Sequence, residues 1–353
     1  MSRRPAEIVE VPSGWFRIAV IGAATLKGKE LKDVLAERNF PAAETRLLDD
    51  DESLGQLESV GDEVTFIQSM LPEHLDKVDF AFFAADEGFT RRNVKLAKDA
   101  GAAIVDLSYG LENEPGSLVR SPWIERELGN QPPPELEVAT TVIAHPAAVV
   151  LGLVLLRAQK AAAIRSAVAT VFEPASEHGR RGMDELHEQT VNLLSFQQLP
   201  KKVFDSQVAF NLISRYGEES ATPIEHVERR IVGHYKRIIG DRAPVPSLML
   251  LQAPIFHAHG FSVYIELEKR VALGDLTQAL SGEHVNVTRL AEDSPSNVNA
   301  AGQDDVLITL RRDAQHENGF WLWATADNLR LAAQTAVDCA AALAASRPQG
   351  KVQ

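Results

Sequence analysis

The sequence predicts a two-domain α/β protein, an N-terminal domain on a parallel sheet followed by an α+β domain with a mostly antiparallel sheet. Three observations carry this. The chain has 353 residues, more than one compact domain usually holds. Its first part alternates short β-branched runs with helical stripes, and after Val168 strand-like runs dominate.

In the first part, "FRIAVIGAATLKGKELKDVLAERNF" (Phe16–Phe40) reads as strand, small-residue turn and helix, with Leu31, Val34 and Leu35 on one stripe. "TRLLDDDES" (Thr45–Ser53) is a second strand that ends in acids. Val78–Gly88 and Ala102–Ser108 are buried strands, with "FTRRNVKLAKDAG" as the helix between them. "GNQPPPELE" (Gly129–Glu137) is a proline-rich surface loop, and Val138–Ala144 is a strand entering "IAHPAAVVLG".

In the second part, "AVATVFEPAS", "SLMLLQAPIF", "FSVYIELE", "DVLITLRRD" and "GFWLWATAD" read as strands. "GMDELHEQTVNLLSF" is a helix that buries Met183, Leu186, Val191 and Leu194 and exposes Asp184, Glu185 and His187. The chain closes in an Ala-rich helix that starts at an Asp or Asn cap and carries Cys339.

Composition excludes several function classes. Hydrophobic residues make up 45% and charged residues 24%, a globular mixture. A single cysteine rules out an internal disulfide framework and any multi-cysteine metal site, and it fits a reducing cytoplasm. The opening "MSRRPAEIVEVPSGW" has no apolar core behind its arginines, so no signal peptide is expected. The longest uncharged apolar run, Ala147–Leu156, is about half a membrane span, which predicts a soluble protein. A net charge of −13 works against nucleic acid and membrane surfaces as partners. The densest basic stretch, "ERRIVGHYKRI", reads as a solvated helix face.

One turn has the form of a ligand site. In "VIGAATLKG", Gly22 ends the first strand and Gly28 lies in the first helical turn, with Ala24, Thr25 and Leu26 between them. A dinucleotide fold uses glycine here for a tight turn and seats a pyrophosphate on the helix N-terminus. Thr25 stands where a glycine is expected, and a plain strand–helix turn fits the same residues. Asp49 falls where an acid would bond ribose hydroxyls, and Asp50, Asp51 and Glu52 would repel a 2′-phosphate; NAD is therefore the cofactor favoured if one binds, with a solvated acidic loop as the alternative. His257 and His259 fall on one strand face and Trp321 and Trp323 on another. Glu173 or Glu177 could join the histidines as ligands only if the fold brought them near, which sequence alone does not place, and packed or hydrogen-bonded histidines are expected instead of a metal site.

The order of "VIGAATLKG", "ERNFP", "VIAHPAAV", "SEHGRRGMDELHEQT", "QVAFN", "ERRIVGHYKRII", "QAPIFHAHGFSVYIE" and "WATADNLR" resembles the aspartate-semialdehyde dehydrogenase family over nearly the whole chain. It is most similar to the Usg-like branch, which lacks the catalytic cysteine. The resemblance implies a Rossmann-like first domain, residues 1–147 with 327–353, and a dimerisation domain, residues 148–326, whose sheet joins two copies into a homodimer. In the active enzymes a cysteine thiolate attacks the aldehyde, hydride passes to NADP, and phosphate resolves the thioester.

The family's Asn-Pro-Asn-Cys segment matches His145-Pro146-Ala147-Ala148, which puts a methyl group at Ala148 in place of the thiol. The glutamine that orients the thiol matches Glu173, and a nearby glycine matches Glu177. The arginine that clamps substrate matches Gln252, and the phosphate-binding arginine falls at Glu112. Only the acid/base histidine is kept, as His259. No neighbour offers a substitute, since Cys339 belongs to the terminal helix and Ser108 to a different strand end. The expectation is a homodimeric binding or assembly protein with an unidentified small-molecule or protein partner. Cysteine-independent, NAD-linked oxidoreduction at His259 is the alternative, and a sensor that binds NAD without turnover is a third reading.

Overall fold

The structure is a computed structural model that describes residues 15–60, 63–129, 140–288 and 294–346. It divides into two compact units, one of residues 1–122, 131–143 and 333–353, the other of residues 123–130 and 144–332.

The first unit is built on strands β1 (Phe16–Ile21), β2 (Ala42–Asp49), β5 (Gln68–Ser69), β6 (Phe80–Phe83), β7 (Ala103–Asp106), β8 (Leu118–Arg120) and β9 (Thr141–Ile143). Strands β3 (Leu57–Val60) and β4 (Glu63–Phe66) form a separate hairpin. The seven strands run in the order β5-β2-β1-β6-β7-β9-β8, and every pair is parallel. Helices α1 (Leu26–Glu37) and α2 (Glu87–Asp99) are crossovers in this sheet. The chain leaves β1 toward β2 on one side and later returns to β6 on the other, so the turn after β1 sits at the topological switch point. Strand β6, "FAFF", is buried throughout and shorter than the Val78–Gly88 run suggested, because Asp86 caps α2 through the Phe89 amide and ends the extended segment. Most of the proline-rich segment lies outside the described residues.

The second unit begins within the short helix α3 (Pro122–Glu127) and continues into α4 (Pro146–Ala161). Every residue from Pro146 to Ala158 is buried, so α4 is a core helix rather than an amphipathic one. Each of its valines and leucines contributes about 1.5–3 kcal/mol by burial. Its one buried charge, Arg157, pairs with Glu127 and donates to the Leu280 and Glu283 carbonyls.

Beyond α4 come β10 (Ile164–Glu173), α5 (Gly179–Leu194), α6 (Ile224–Ile239), β11 (Ser247–Gln252), β12 (His259–Leu267), α7 (Leu273–Leu280), β13 (Val285–Val287), α8 (Asn297–Ala300), β14 (Val306–Arg312) and β15 (Gly319–Ala326). The sheet order is β11-β10-β12-β15-β14-β13, with three antiparallel pairs in the centre and parallel pairs at both edges. Helix α9 (Asn328–Ser346) closes the chain and holds the buried Cys339. Asp327 caps it by accepting the Leu329 and Arg330 amides. Among the described residues, no helix is long and apolar enough to cross a membrane.

Three expectations are corrected. On α5 the buried stripe is Gly182, Glu185, Leu186 and Gln189, while Val191 and Leu194 are exposed. The polar pair is buried because it satisfies the loop above it: Glu185 accepts the Val203 and Phe204 amides, and Gln189 bonds Pro200, Ser206, Val208 and Ala209. The basic helix α6 is not simply a solvated face, since Arg230 and His234 are buried on it. His257 and His259 do not share a strand face: β12 starts at His259, and Ala258, at φ +67°, breaks the alternation between them.

Candidate functional site

In the first unit, the turn after β1 needs both glycines. Gly22 has φ +87°, and a Cβ there would meet the Ala85 amide at 2.4 Å; a Cβ on Gly28 would meet the Gly22 carbonyl at 2.1 Å. Thr25 takes a structural role instead of leaving room for a third glycine. It is the N-cap of α1 and accepts the Gly28 amide at 2.9 Å, and its hydroxyl lies 2.8 Å from the Gly22 carbonyl. Leu26 opens α1, and its amide has no acceptor among the described residues. Lys27 reaches the Leu107 carbonyl and lies over the Tyr109 ring.

Asp49 is turned into this loop. One oxygen accepts the Ala24 amide at 2.8 Å and the other the Asp50 amide at 2.9 Å. Burial, the largest cause, raises its carboxyl above the ordinary range in spite of those two bonds. Ser108 and Glu112 belong to the loop after β7, where the fully buried Asp106 accepts the Ser108 hydroxyl and the Ser108 and Leu111 amides.

In the second unit, sheet register brings three of the predicted residues together. Glu173 pairs with Gln252 across β10 and β11. Phe172 pairs with Gly260 across β10 and β12, which sets Glu173 beside His259 at the next step. Opposed residues share a face, so Gln252, Glu173 and His259 form a polar row on the buried side, none more than 1% exposed.

Around Glu173 the row is closely bonded. His178 lies 3.1 Å from Glu173 Oε1 and 2.9 Å from the Tyr216 hydroxyl, which donates to Gln252 Oε1 at 2.7 Å. Gln252 Nε2 donates to the Glu173 and Ala253 carbonyls. Burial, then the charges of Glu173 and Glu177, push the Tyr216 hydroxyl well above its ordinary range, so it stays a donor. Gly182 lets α5 approach the turn that carries Ser176, Glu177 and His178; a Cβ there would meet the Ala175 carbonyl at 2.6 Å.

At the other end of the row, His259 Nε2 lies 3.9 Å from Glu177 Oε1, which also accepts Asn328 Nδ2 at 3.0 Å. Asn328 Oδ1 takes the Ser176 hydroxyl and the Ala258 amide, pinning both segments. The His145 ring lies 5.7 Å from that of His259. His145 caps α4 by accepting the Ala147 amide on Nδ1, and its own amide donates to His234 Nδ1. An Nδ1 that accepts carries no proton, which leaves Nε2 as the donor nitrogen of each ring. Ala148 sits in this first turn, fully buried, its amide on the His145 carbonyl at 2.8 Å.

Comparison with known proteins fixes the family. The model of the semialdehyde dehydrogenase NAD binding domain matches residues 17–164, and that of the semialdehyde dehydrogenase dimerisation domain matches residues 155–331. The chain belongs to the semialdehyde dehydrogenase family. It is 30% identical over 333 residues to the aspartate-semialdehyde dehydrogenase of Rickettsia conorii, covering 89% of this chain and 93% of that one. It is also 30% identical, over 320 residues, to a USG-1 protein homolog of Pseudomonas aeruginosa, with the same shares covered. A solved structure described as a probable aspartate-semialdehyde dehydrogenase from Pseudomonas aeruginosa superposes with a TM-score of 0.80 at 28% identity, over 93% of this chain and 98% of that one.

This semialdehyde dehydrogenase family member uses residues that the sequence did not single out. Tyr216 and His178 follow no local pattern and are joined to the row only by folding. Asn328 was visible as a cap signal, but not as the pin between the Ser176 and Ala258 segments. His234 was hidden in a basic helix. Among the described residues no group of three or more His, Cys, Asp or Glu could hold a metal ion.

Proposed function

We propose that this family member is a homodimeric binding or assembly protein that does not carry out phosphorylating aldehyde oxidation. The observation that supports this most is Ala148. It holds the position that the resemblance gives to the nucleophile, and its methyl group cannot form a thioester. The buried Cys339 belongs to α9, and the Ser108 hydroxyl is committed to Asp106 at 2.6 Å. Charge points the same way, because Gln252 and Glu112 stand where the family binds anions through arginine, and Glu173 adds a carboxylate. A like charge beside a bound anion costs on the order of a few kcal/mol in a partly desolvated pocket.

Incubation with an aldehyde and oxidised nicotinamide, read by intact mass, is expected to give no acyl adduct; an adduct on any side chain overturns the reading. Ala148→Cys alone is expected to form no acyl phosphate, because the anion contacts stay absent.

The first unit fits a dinucleotide at α1, where the turn of Gly22, Ala24, Thr25, Leu26 and Gly28 would lie against the pyrophosphate and the Leu26 amide would donate to it. Asp49 and the acids after it favour NAD over NADP, and titration with both cofactors tests that order. A nicotinamide would supply hydride chemistry; this chain's part is to hold it. The His259–Glu177 pair favours a second reading, NAD-linked oxidoreduction without a covalent intermediate, in which His259 moves the proton. Turnover of any aldehyde would select it.

The homodimer is assigned to the open face of the second unit's sheet, which carries Val168, Tyr264, Trp321 and Trp323. Trp323→Glu is expected to yield monomer in sedimentation at micromolar concentration. The single cysteine fits a reducing cytoplasm.

A further inference from the structure

The second unit carries a cleft of about 400 Å³ between the end of α4, the loop after β12 and α7. It lies at the far end of β12 from the polar row. His259 opens that strand and Leu267 ends it, so the strand alone sets roughly 26 Å between the row and the cleft. Three of the side chains that line the cleft are cations, Lys160, Lys269 and Arg270, against one acid, Asp275, while Val271 and Ala279 give it an apolar wall. Arg312 backs that wall by donating to the Val271 carbonyl. The chain as a whole has a net charge of −13, so this positive excess is local.

The excess is only partly answered by carboxylates of the chain. Lys160 is joined to Glu127, which also takes Arg157. Arg270 reaches the exposed Glu317 at 3.6 Å, a surface pairing that contributes little. Lys269 makes no ion pair among the described residues. Like charges gathered around a concave surface repel one another and focus their field into it. We propose that this cleft binds a small organic anion with two or more negative charges, on residues that belong neither to the polar row nor to the α1 turn. Its volume falls within the roughly 300–1,000 Å³ of small-molecule sites. Arg270 offers a planar fork and Lys269 a point charge, donors that carboxylate and phosphate oxygens both accept. Val271 and Ala279 face the carbon skeleton.

The test is calorimetric titration of the full chain with citrate and, in a separate arm, with fructose 1,6-bisphosphate. Saturable binding of at least one is expected, and the arm that binds says whether carboxylate or phosphate is read. Lys269→Gln with Arg270→Gln is expected to weaken binding about tenfold or more, and Asp275→Asn to tighten it about threefold. Arg229→Gln with Lys236→Gln removes the same charge from α6 and is expected to change affinity by about twofold at most. All five side chains are exposed, so each variant is expected to fold. No saturable binding in either arm, an equal loss in the two double variants, or weaker binding in Asp275→Asn overturns the proposal.

Discussion

Helices α1 and α4 each follow a parallel strand, and their first turns are built differently. At α1 the N-cap is Thr25, whose small hydroxyl accepts the Gly28 amide while the Leu26 amide has no acceptor among the described residues. At α4 the cap is His145, and the first-turn amides of Ala147, Ala148 and Val149 are all taken by its ring nitrogen or its carbonyl. The first start retains one backbone donor, the Leu26 amide, of the kind that holds a phosphate. The second is closed on itself around an alanine. The two starts therefore commit different atoms: a hydroxyl and backbone amides at α1, an imidazole and a carbonyl at α4.

The largest way to break this comparison is at α1. Gly28→Val forces a Cβ to within 2.1 Å of the Gly22 carbonyl, and a loss of roughly 3 kcal/mol or more is expected, seen as a lower unfolding midpoint and reduced soluble yield. At α4, His234→Leu removes the acceptor of the buried His145 amide and is expected to cost about 1–3 kcal/mol in urea unfolding. An unchanged midpoint would show that this helix start does not depend on the imidazole chain. Ala148→Cys adds one sulfur to a buried turn, and a change within about 1.5 kcal/mol is expected.

The smallest effect concerns neither helix and serves as a baseline for acid titration. At the β14–β15 hairpin, the Gln315 amide first and then Trp321 Nε1 hold the Asp313 carboxyl down to about 2, against an ordinary 3.8. A folded-state value below the unfolded one contributes stability above about pH 3.8, and that contribution is lost as pH falls through about 2. An NMR titration of Asp313 that gives an ordinary midpoint would remove it.

How much was legible beforehand differs between the same regions. The α1 turn was readable residue by residue, since β-branched run, glycine, cap and amphipathic stripe lie within one local segment. The α5 helix was readable as a helix but not in its facing, because Glu185 and Gln189 are buried for the sake of a loop 11 to 20 residues further on. Hydrophobic periodicity carries no signal for a buried polar pair whose partners are backbone amides. The His257–His259 pairing failed because one residue, Ala258, adopts φ +67°, a conformation that alanine's own propensity does not suggest.

Alone, the sequence determined the alternation of elements, the parallel and mostly antiparallel sheets, the glycines of the first turn and the absence of a thiol at residue 148. These follow from local periodicity, turn stereochemistry and side-chain identity. Only the tertiary structure decided that Gln252, Glu173 and His259 stand in one row, that Tyr216 and His178 close it, and that Asn328 pins two distant segments. Such contacts depend on strand register and on hydrogen bonds between residues far apart in the chain, which no window of sequence contains.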